Sequence, residues 1–213
     1  MDCPGVQDKD RSAGSLSGFG DIGQQGQRAK MTGIRCFVAV DLPAQMREEI
    51  GRLESQIATE GLRLVRPDLV HVTLKFLGDV PEEKVQDVVA ALSGVRIAPF
   101  AAKVMGMGTF PGRSIRVVWL GLEGDFQRLY TQVETSLCPV GFKREARGFS
   151  PHVTLGRVGR PNAEINRKLA PKIADLSGAD LGSFVVDRFY LKKSTLTRGG
   201  PIYDNLAEFP LRD

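Results

Sequence analysis

Two tetrapeptides carry the chemistry open to this chain. His71-Val72-Thr73-Leu74 and His152-Val153-Thr154-Leu155 are the same four residues written twice, and between them they hold both histidines of the 213-residue sequence. Residues two apart in a β-strand point to one face. Each copy therefore sets an imidazole beside a hydroxyl, with Val and Leu turned toward a core. Two such strands facing each other would gather two imidazoles and two hydroxyls. An imidazole, with an unperturbed pKa of about 6.5, can take a proton from an attacking oxygen or give one to a departing oxygen near working pH. Phosphoryl transfer needs both services, together with donors for the charged non-bridging oxygens. The hydroxyls of Thr73 and Thr154 are donors of that kind.

Two cations lie close to these motifs. Arg157 comes five residues after His152. An odd offset is easily reset at the end of a strand, so its charge is a candidate for the same phosphate. Lys75 comes four residues after His71. On a regular strand it shares the face of His71 and Thr73, as a weaker candidate. A metal centre is the sharper rival, since histidine is the commonest metal ligand. Structural zinc takes four ligands and catalytic zinc three from the protein, and neither motif carries a carboxylate on its imidazole face. The expected site therefore has no metal.

The elements needed to place the motifs are legible around them. Residues 34–41 read as an apolar strand, ended by Leu42-Pro43. Residues 43–59 follow as a helix, with Met46, Ile50, Leu53 and Ile57 at helical spacing. Residues 69–77 form the strand with the first motif, and 81–92 a second helix. In the second half, 115–122 read as a strand around the single tryptophan, Trp119. A helix over 125–138 carries Phe126, Leu129, Val133 and Leu137 on its apolar face, and 151–157 hold the second motif. Phe37 precedes His71 by 34 residues and Val117 precedes His152 by 35. A duplicated β-α-β unit would bring the two histidines to one cleft from opposite sides.

The remaining pattern is plainer. Residues 97–107 read as a strand and the Gly/Pro-rich stretch 106–113 as a loop. It is no P-loop, because it lacks the Gly-Lys-Ser/Thr ending. Residues 163–169 read as a short helix broken by Pro171, and 184–192 and 202–209 as closing strands. Residues 1–30 are rich in Gly, Ser, Gln, Asp and Arg without a period. Such a segment buries too little apolar surface to offset its conformational entropy, so a flexible tail is expected before a compact domain over 31–213.

Composition narrows the class. The apolar share is 42%, enough for a core, and the net charge is +4 with a pI near 9.1. That excess suits ordinary solubility or a cleft for a phosphate-bearing ligand. Lys192-Lys193 and Lys143-Arg144 would draw an RNA backbone if they lined the cleft. Phe110, Trp119, Phe149 and Tyr203 could stack on a base, against the plainer expectation of core packing. The three cysteines have no metal-ligand spacing, and Cys36 sits in an apolar run. No apolar run is long enough for a membrane span, and the N-terminus lacks a secretory core. A cytoplasmic location is expected.

Paired His-x-Thr motifs in such a chain resemble the 2H phosphoesterase superfamily. More closely, the chain resembles the bacterial and archaeal RNA 2′,3′-cyclic phosphodiesterases, long called 2′-5′ RNA ligases. The similarity rests on IRCFVAVDLP, HVTLKFLGDV, FPGRSIRVVWLG, FSPHVTLGR and KKSTLTRGGPIYDNLAEFPL. The resemblance implies an α+β, bilobal fold: two pseudo-symmetric antiparallel β-sheet lobes backed by helices around a central cleft. It implies a monomer without cofactor that opens a terminal RNA 2′,3′-cyclic phosphate to a 2′-phosphate. By this analogy His71 gives the proton to the leaving oxygen and His152 takes one from water. Thr73, Thr154 and Arg157 hold phosphate oxygens. The two histidines would exchange roles in the reverse reaction, a route to ligase activity. A phosphodiesterase for small cyclic nucleotides, such as an ADP-ribose cyclic phosphate, would need the same chemistry. A binding module without turnover is the alternative from another class.

Overall fold

The structure is a computed structural model that describes residues 33–110 and 114–213. The reading of residues 1–30 lies outside these. Its elements run β1 (Ile34–Asp41), α1 (Ala44–Ile57), β2 (Leu62–Leu64), β3 (His71–Val80), α2 (Val85–Leu92), β4 (Phe100–Phe110), β5 (Val117–Glu123), α3 (Phe126–Leu137), β6 (His152–Val158), α4 (Ala163–Asp175), β7 (Asp180–Val186), β8 (Arg188–Thr197) and β9 (Gly200–Pro210). Short 3₁₀ turns at Pro67–Leu69 and Glu82–Lys84 precede β3 and α2.

All the strands join one antiparallel sheet in the order β7-β4-β5-β6-β3-β1-β8-β9, with β2 alongside the end of β6. The order is its own mirror image about the β6/β3 seam. On one side lie β1-α1-β3 flanked by β8 and β9; on the other, β5-α3-β6 flanked by β4 and β7. The two lobes are thus halves of a single sheet, and β3 and β6 pair at only one position, Val72 opposite Val153. Asp187 alone separates β7 from β8, which lie far apart in the strand order. A link that short spans only about 7 Å, so the sheet must curl until those strands approach.

Burial follows the periods seen in the sequence. Met46, Ile50, Leu53 and Ile57 of α1 are buried, as are Phe126, Leu129, Val133 and Leu137 of α3. Val72, Leu74, Val153 and Leu155, the alternate residues of the motifs, are at most 2% exposed. Their burial holds the opposite face of each strand toward the cleft.

Three local expectations fail for identifiable reasons. Residues 106–110 belong to β4 rather than a loop. Gly108 serves close approach instead of a turn, since a Cβ there would collide with the Trp119 ring. Helix α4 continues through Pro171. The proline removes one backbone donor, while buried Ile165, Leu169 and Ile173 hold both sides of it to the core. The single strand expected over 184–192 is two strands meeting at Asp187, because Val186 pairs with β4 and β8 pairs with β1.

One buried group works against stability. Glu54 of α1 is 3% exposed, and its Oε1 has no hydrogen-bond partner among the described residues. Burial pushes its carboxyl up to about 7. The folded state therefore binds this proton more tightly than the unfolded chain does. Glu54's favourable contribution is complete below the ordinary carboxylate range and is lost as pH rises to about 7. Glu54→Met should gain on the order of 2 kcal/mol over wild type between pH 4.5 and 8. Urea unfolding at both pH values measures this. A difference independent of pH would show that Glu54 is not neutralised on folding.

Candidate active site

Both motif strands break their alternation at the same residue. In the β1–β3 ladder Ala39 pairs with Thr73 and Val38 with Lys75, so Leu74 is skipped. In the β5–β6 ladder Trp119 pairs with Thr154 and Val118 with Gly156, so Leu155 is skipped. Each is a β-bulge, an extra residue that switches the facing of the residues beyond it. Two consecutive residues are buried there in each copy, Leu74-Lys75 and Leu155-Gly156. The residue five after each histidine then reaches the cleft. In the second copy this is Arg157, as expected from the sequence. In the first it is Phe76, while Lys75 turns away from the site and is 3% exposed.

The two histidines are anchored in the same way. His71 Nδ1 lies 2.8 Å from the Leu69 carbonyl oxygen, and His152 Nδ1 lies 2.7 Å from that of Ser150. A carbonyl only accepts, so each Nδ1 carries a proton and donates it. That fixes the neutral tautomer and leaves each Nε2 for chemistry, as an acceptor when neutral and a donor when protonated. Aromatic rings pack tilted or edge-on against both imidazoles. Phe37 and Tyr203 lie 4.9 and 5.3 Å from the His71 ring centre, and Phe110 and Trp119 lie 5.1 and 6.4 Å from that of His152.

The surroundings of His71 tune its proton affinity. Burial lowers its pKa below the ordinary imidazole value, aided by the positive charges of Lys192 and Arg157. The Leu69 carbonyl and Asp41, its cross-strand partner in β1, oppose that shift. Lys192 is 6% exposed and donates at 2.8 Å to both Asp41 and Asn205. It is therefore a fixed charge behind His71. Burial also raises the Tyr203 phenol, keeping it protonated.

His71, Thr73, His152, Thr154 and Arg157 line one cavity of about 270 Å³. The two histidines, two threonines and Arg157 thus meet, while Lys75, the weaker candidate, does not join them. Phe76, Leu196 and Pro201 form an apolar part of the wall, and Arg35 adds a second cation. Among the described residues no carboxylate lines this cavity. Among the described residues its only full charges are the two arginines, with no salt bridge from either to a described residue, which suits an anion carrying an apolar group. Cys36 lines it too, but burial pushes the thiol up to about 11; a protonated thiol is no nucleophile. Among the described residues no three His, Cys, Asp or Glu side chains gather to hold a metal ion.

Other basic and aromatic candidates fall elsewhere. Lys143, Arg144 and Lys193 do not line the cavity. Phe149 stacks on Tyr130 with centroids 4.4 Å apart. Sequence reasoning missed Phe37, Phe76 and Arg35. Phe76 had a signal: the reset that admits Arg157 after the second motif, applied to the first, selects Phe76 over Lys75.

Comparison with known proteins agrees with this geometry. The family model described as LigT-like phosphoesterase matches residues 40–119 and 121–203, one segment for each motif. The RNA 2′,3′-cyclic phosphodiesterase of Methanocaldococcus jannaschii is 35% identical over 178 residues, covering 83% of this chain and 100% of its own. That of Archaeoglobus fulgidus is 39% identical over 180 residues, covering 83% and 99%. The crystal structure of Escherichia coli LigT complexed with 3′-AMP superposes with a TM-score of 0.69 at 29% identity, over 85% of this chain and 99% of that one. No helix among the described residues is long and apolar enough to cross a membrane. With two bulged His-x-Thr strands meeting across a mirror-ordered sheet and both family segments matched, the chain belongs to the LigT-like phosphoesterase family of the 2H superfamily.

Proposed function

We propose that this protein opens terminal RNA 2′,3′-cyclic phosphates to 2′-phosphates by metal-independent acid–base catalysis. The observation that carries the reading is the pair of identically anchored imidazoles, each with Nε2 left for reaction, in one cavity to which the described residues bring no carboxylate. His152 takes a proton from water as its oxygen attacks phosphorus. The P–O3′ bond breaks, and His71 Nε2 gives its proton to the departing 3′-oxygen. Thr73, Thr154 and Arg157 donate to the non-bridging oxygens, whose charge is shared through the transition state. Burial makes the His71 imidazolium a stronger acid, which suits protonation of an alkoxide leaving group. The bound phosphate's negative charge offsets that burial and holds the proton in place until transfer. A 5′-hydroxyl in place of water gives a 2′-5′ linkage with the two histidines in the same roles, and they exchange roles when that linkage is cleaved back to the cyclic phosphate.

Residues 31–213 are the catalytic unit, acting as a cytoplasmic monomer. The lengths of the named relatives support the extent of that unit: they align almost whole with about five-sixths of the chain. The substrate test uses an oligoribonucleotide ending in a 2′,3′-cyclic phosphate, in excess chelator, with ³¹P NMR of the product. The expected product carries a 2′-monophosphate. A 3′-phosphate product would reverse the direction of opening, and no turnover would overturn the proposal. Preferred turnover of 2′,3′-cyclic AMP or an ADP-ribose cyclic phosphate in the same panel would move the substrate to small cyclic nucleotides. Tight RNA binding without turnover would make the protein a binding module.

A further inference from the structure

The bulge at Leu74 has a second product. It turns Lys75 off the cleft and beneath the sheet, where its ammonium meets the carboxylate of Glu134 on α3. Lys75 and Glu134 are 3% and 4% exposed. The Lys75 ammonium also donates to the Lys143 carbonyl at 2.9 Å, and the second Glu134 oxygen accepts from the Glu145 backbone N–H at 3.1 Å. Four groups are thus tied together from the strand of the first motif, the helix of the other half, and the segment leading into His152. The second copy has no counterpart. Gly156 occupies the equivalent position, and a Cβ there would meet the Leu62 side chain at 2.9 Å.

The seam these groups cross is thin. β3 and β6 share the single pair Val72–Val153. On one side of that pair β2 fastens to the end of β6, and the Val65 N–H donates to the Leu155 carbonyl at 2.8 Å. On the other side, toward His152, Lys75 and Glu134 provide a tie. A buried ion pair contributes little net stability over an apolar pair of like shape, because both charges lose their hydration. Directional bonds to two backbone groups supply something an apolar pair does not: a fixed distance and tilt. We infer that Lys75 and Glu134 are positioning residues, a strut between the halves that sets how His71 Nε2 and His152 Nε2 face each other across the phosphate. The inference rests on the two-histidine mechanism proposed above.

Lys75→Met/Glu134→Gln removes both charges and leaves a Gln oxygen for the Glu145 N–H. Its kcat on the RNA cyclic phosphate should fall at least about ten-fold with KM within about two-fold, since a shift of about 1 Å in reacting groups is costly. Glu134→Gln alone, which leaves the Lys75 charge buried without its carboxylate, should unfold at a lower temperature than the double variant. A second readout needs no turnover. With only two histidines in the chain, the imidazole Cε1 protons give two NMR signals, assigned with His71→Ala and His152→Ala. Inorganic phosphate should shift both in wild type with one midpoint. In the double variant the midpoints should separate or move to higher phosphate. If the double variant does not fold, Lys75→Arg, which keeps the charge on a longer arm, is read the same way. Turnover within two-fold of wild type, or unchanged phosphate titrations, would overturn the strut. Wild type without turnover but with the expected change in titration would remove the proposed reaction and leave the strut standing.

Discussion

His71→Ala and His152→Ala should each lower kcat on an RNA 2′,3′-cyclic phosphate by about 10³-fold or more, and the double variant should fall little further. General acid and general base serve one transition state, so removing either leaves the other without a partner. The small second loss is the sharper part of the expectation, because independent contributions would multiply. Steady-state kinetics of the three variants, with circular dichroism to confirm folding, measure it. Near-normal turnover in either single variant would end the paired mechanism. Wild-type kcat/KM should trace a bell against pH, with limbs that belong to the coupled pair rather than to one residue. Burial lowers the His71 pKa, so the acidic limb of the free enzyme should lie below the ordinary imidazole value. A monotonic profile between pH 5 and 9 would mean that one histidine does not titrate in catalysis.

The motifs were legible in sequence because strand alternation is a local property. His71 and Thr73, or His152 and Thr154, share a face whatever the rest of the chain does. The apolar stripes of α1 and α3 were legible for the same reason, and so was the β-α-β order of each half. What stayed hidden depends on pairing between distant strands. The bulges at Leu74 and Leu155 arise where a neighbouring strand skips a residue; nothing in HVTL alone announces them. They decide that Lys75 leaves the cleft and Phe76 enters it. Gly108 misled for a related reason. Glycine suggests a turn locally, but this one makes room for an indole from the adjacent strand. Pro171 shows the converse, a local breaker overruled by the buried residues on either side of it.

Arg157→Met should lower kcat/KM by about 10²-fold, the scale of losing one donor to transition-state charge. The bulge places this guanidinium on the same face as His152 and Thr154, and no carboxylate among the described residues forms a salt bridge with it. Its mirror position holds Phe76, which carries no charge, and Arg35 belongs to the other half of the sheet, so neither substitutes for it. Arg157→Lys should recover only part of the loss, because an ammonium is a point charge where the guanidinium offers a planar fork matched to phosphate. Inhibition by inorganic phosphate should weaken in parallel. A fall in kcat/KM with unchanged phosphate inhibition would place Arg157 on another part of the substrate. The free enzyme supplies a further sign. Arg157 is one of the positive charges that lower the His71 pKa. Removing it favours the imidazolium, so the acidic limb of the Arg157→Met profile should move up toward the ordinary imidazole value. A limb that moves down, or stays fixed while kcat/KM collapses, would mean that the guanidinium does not face His71 across the phosphate site.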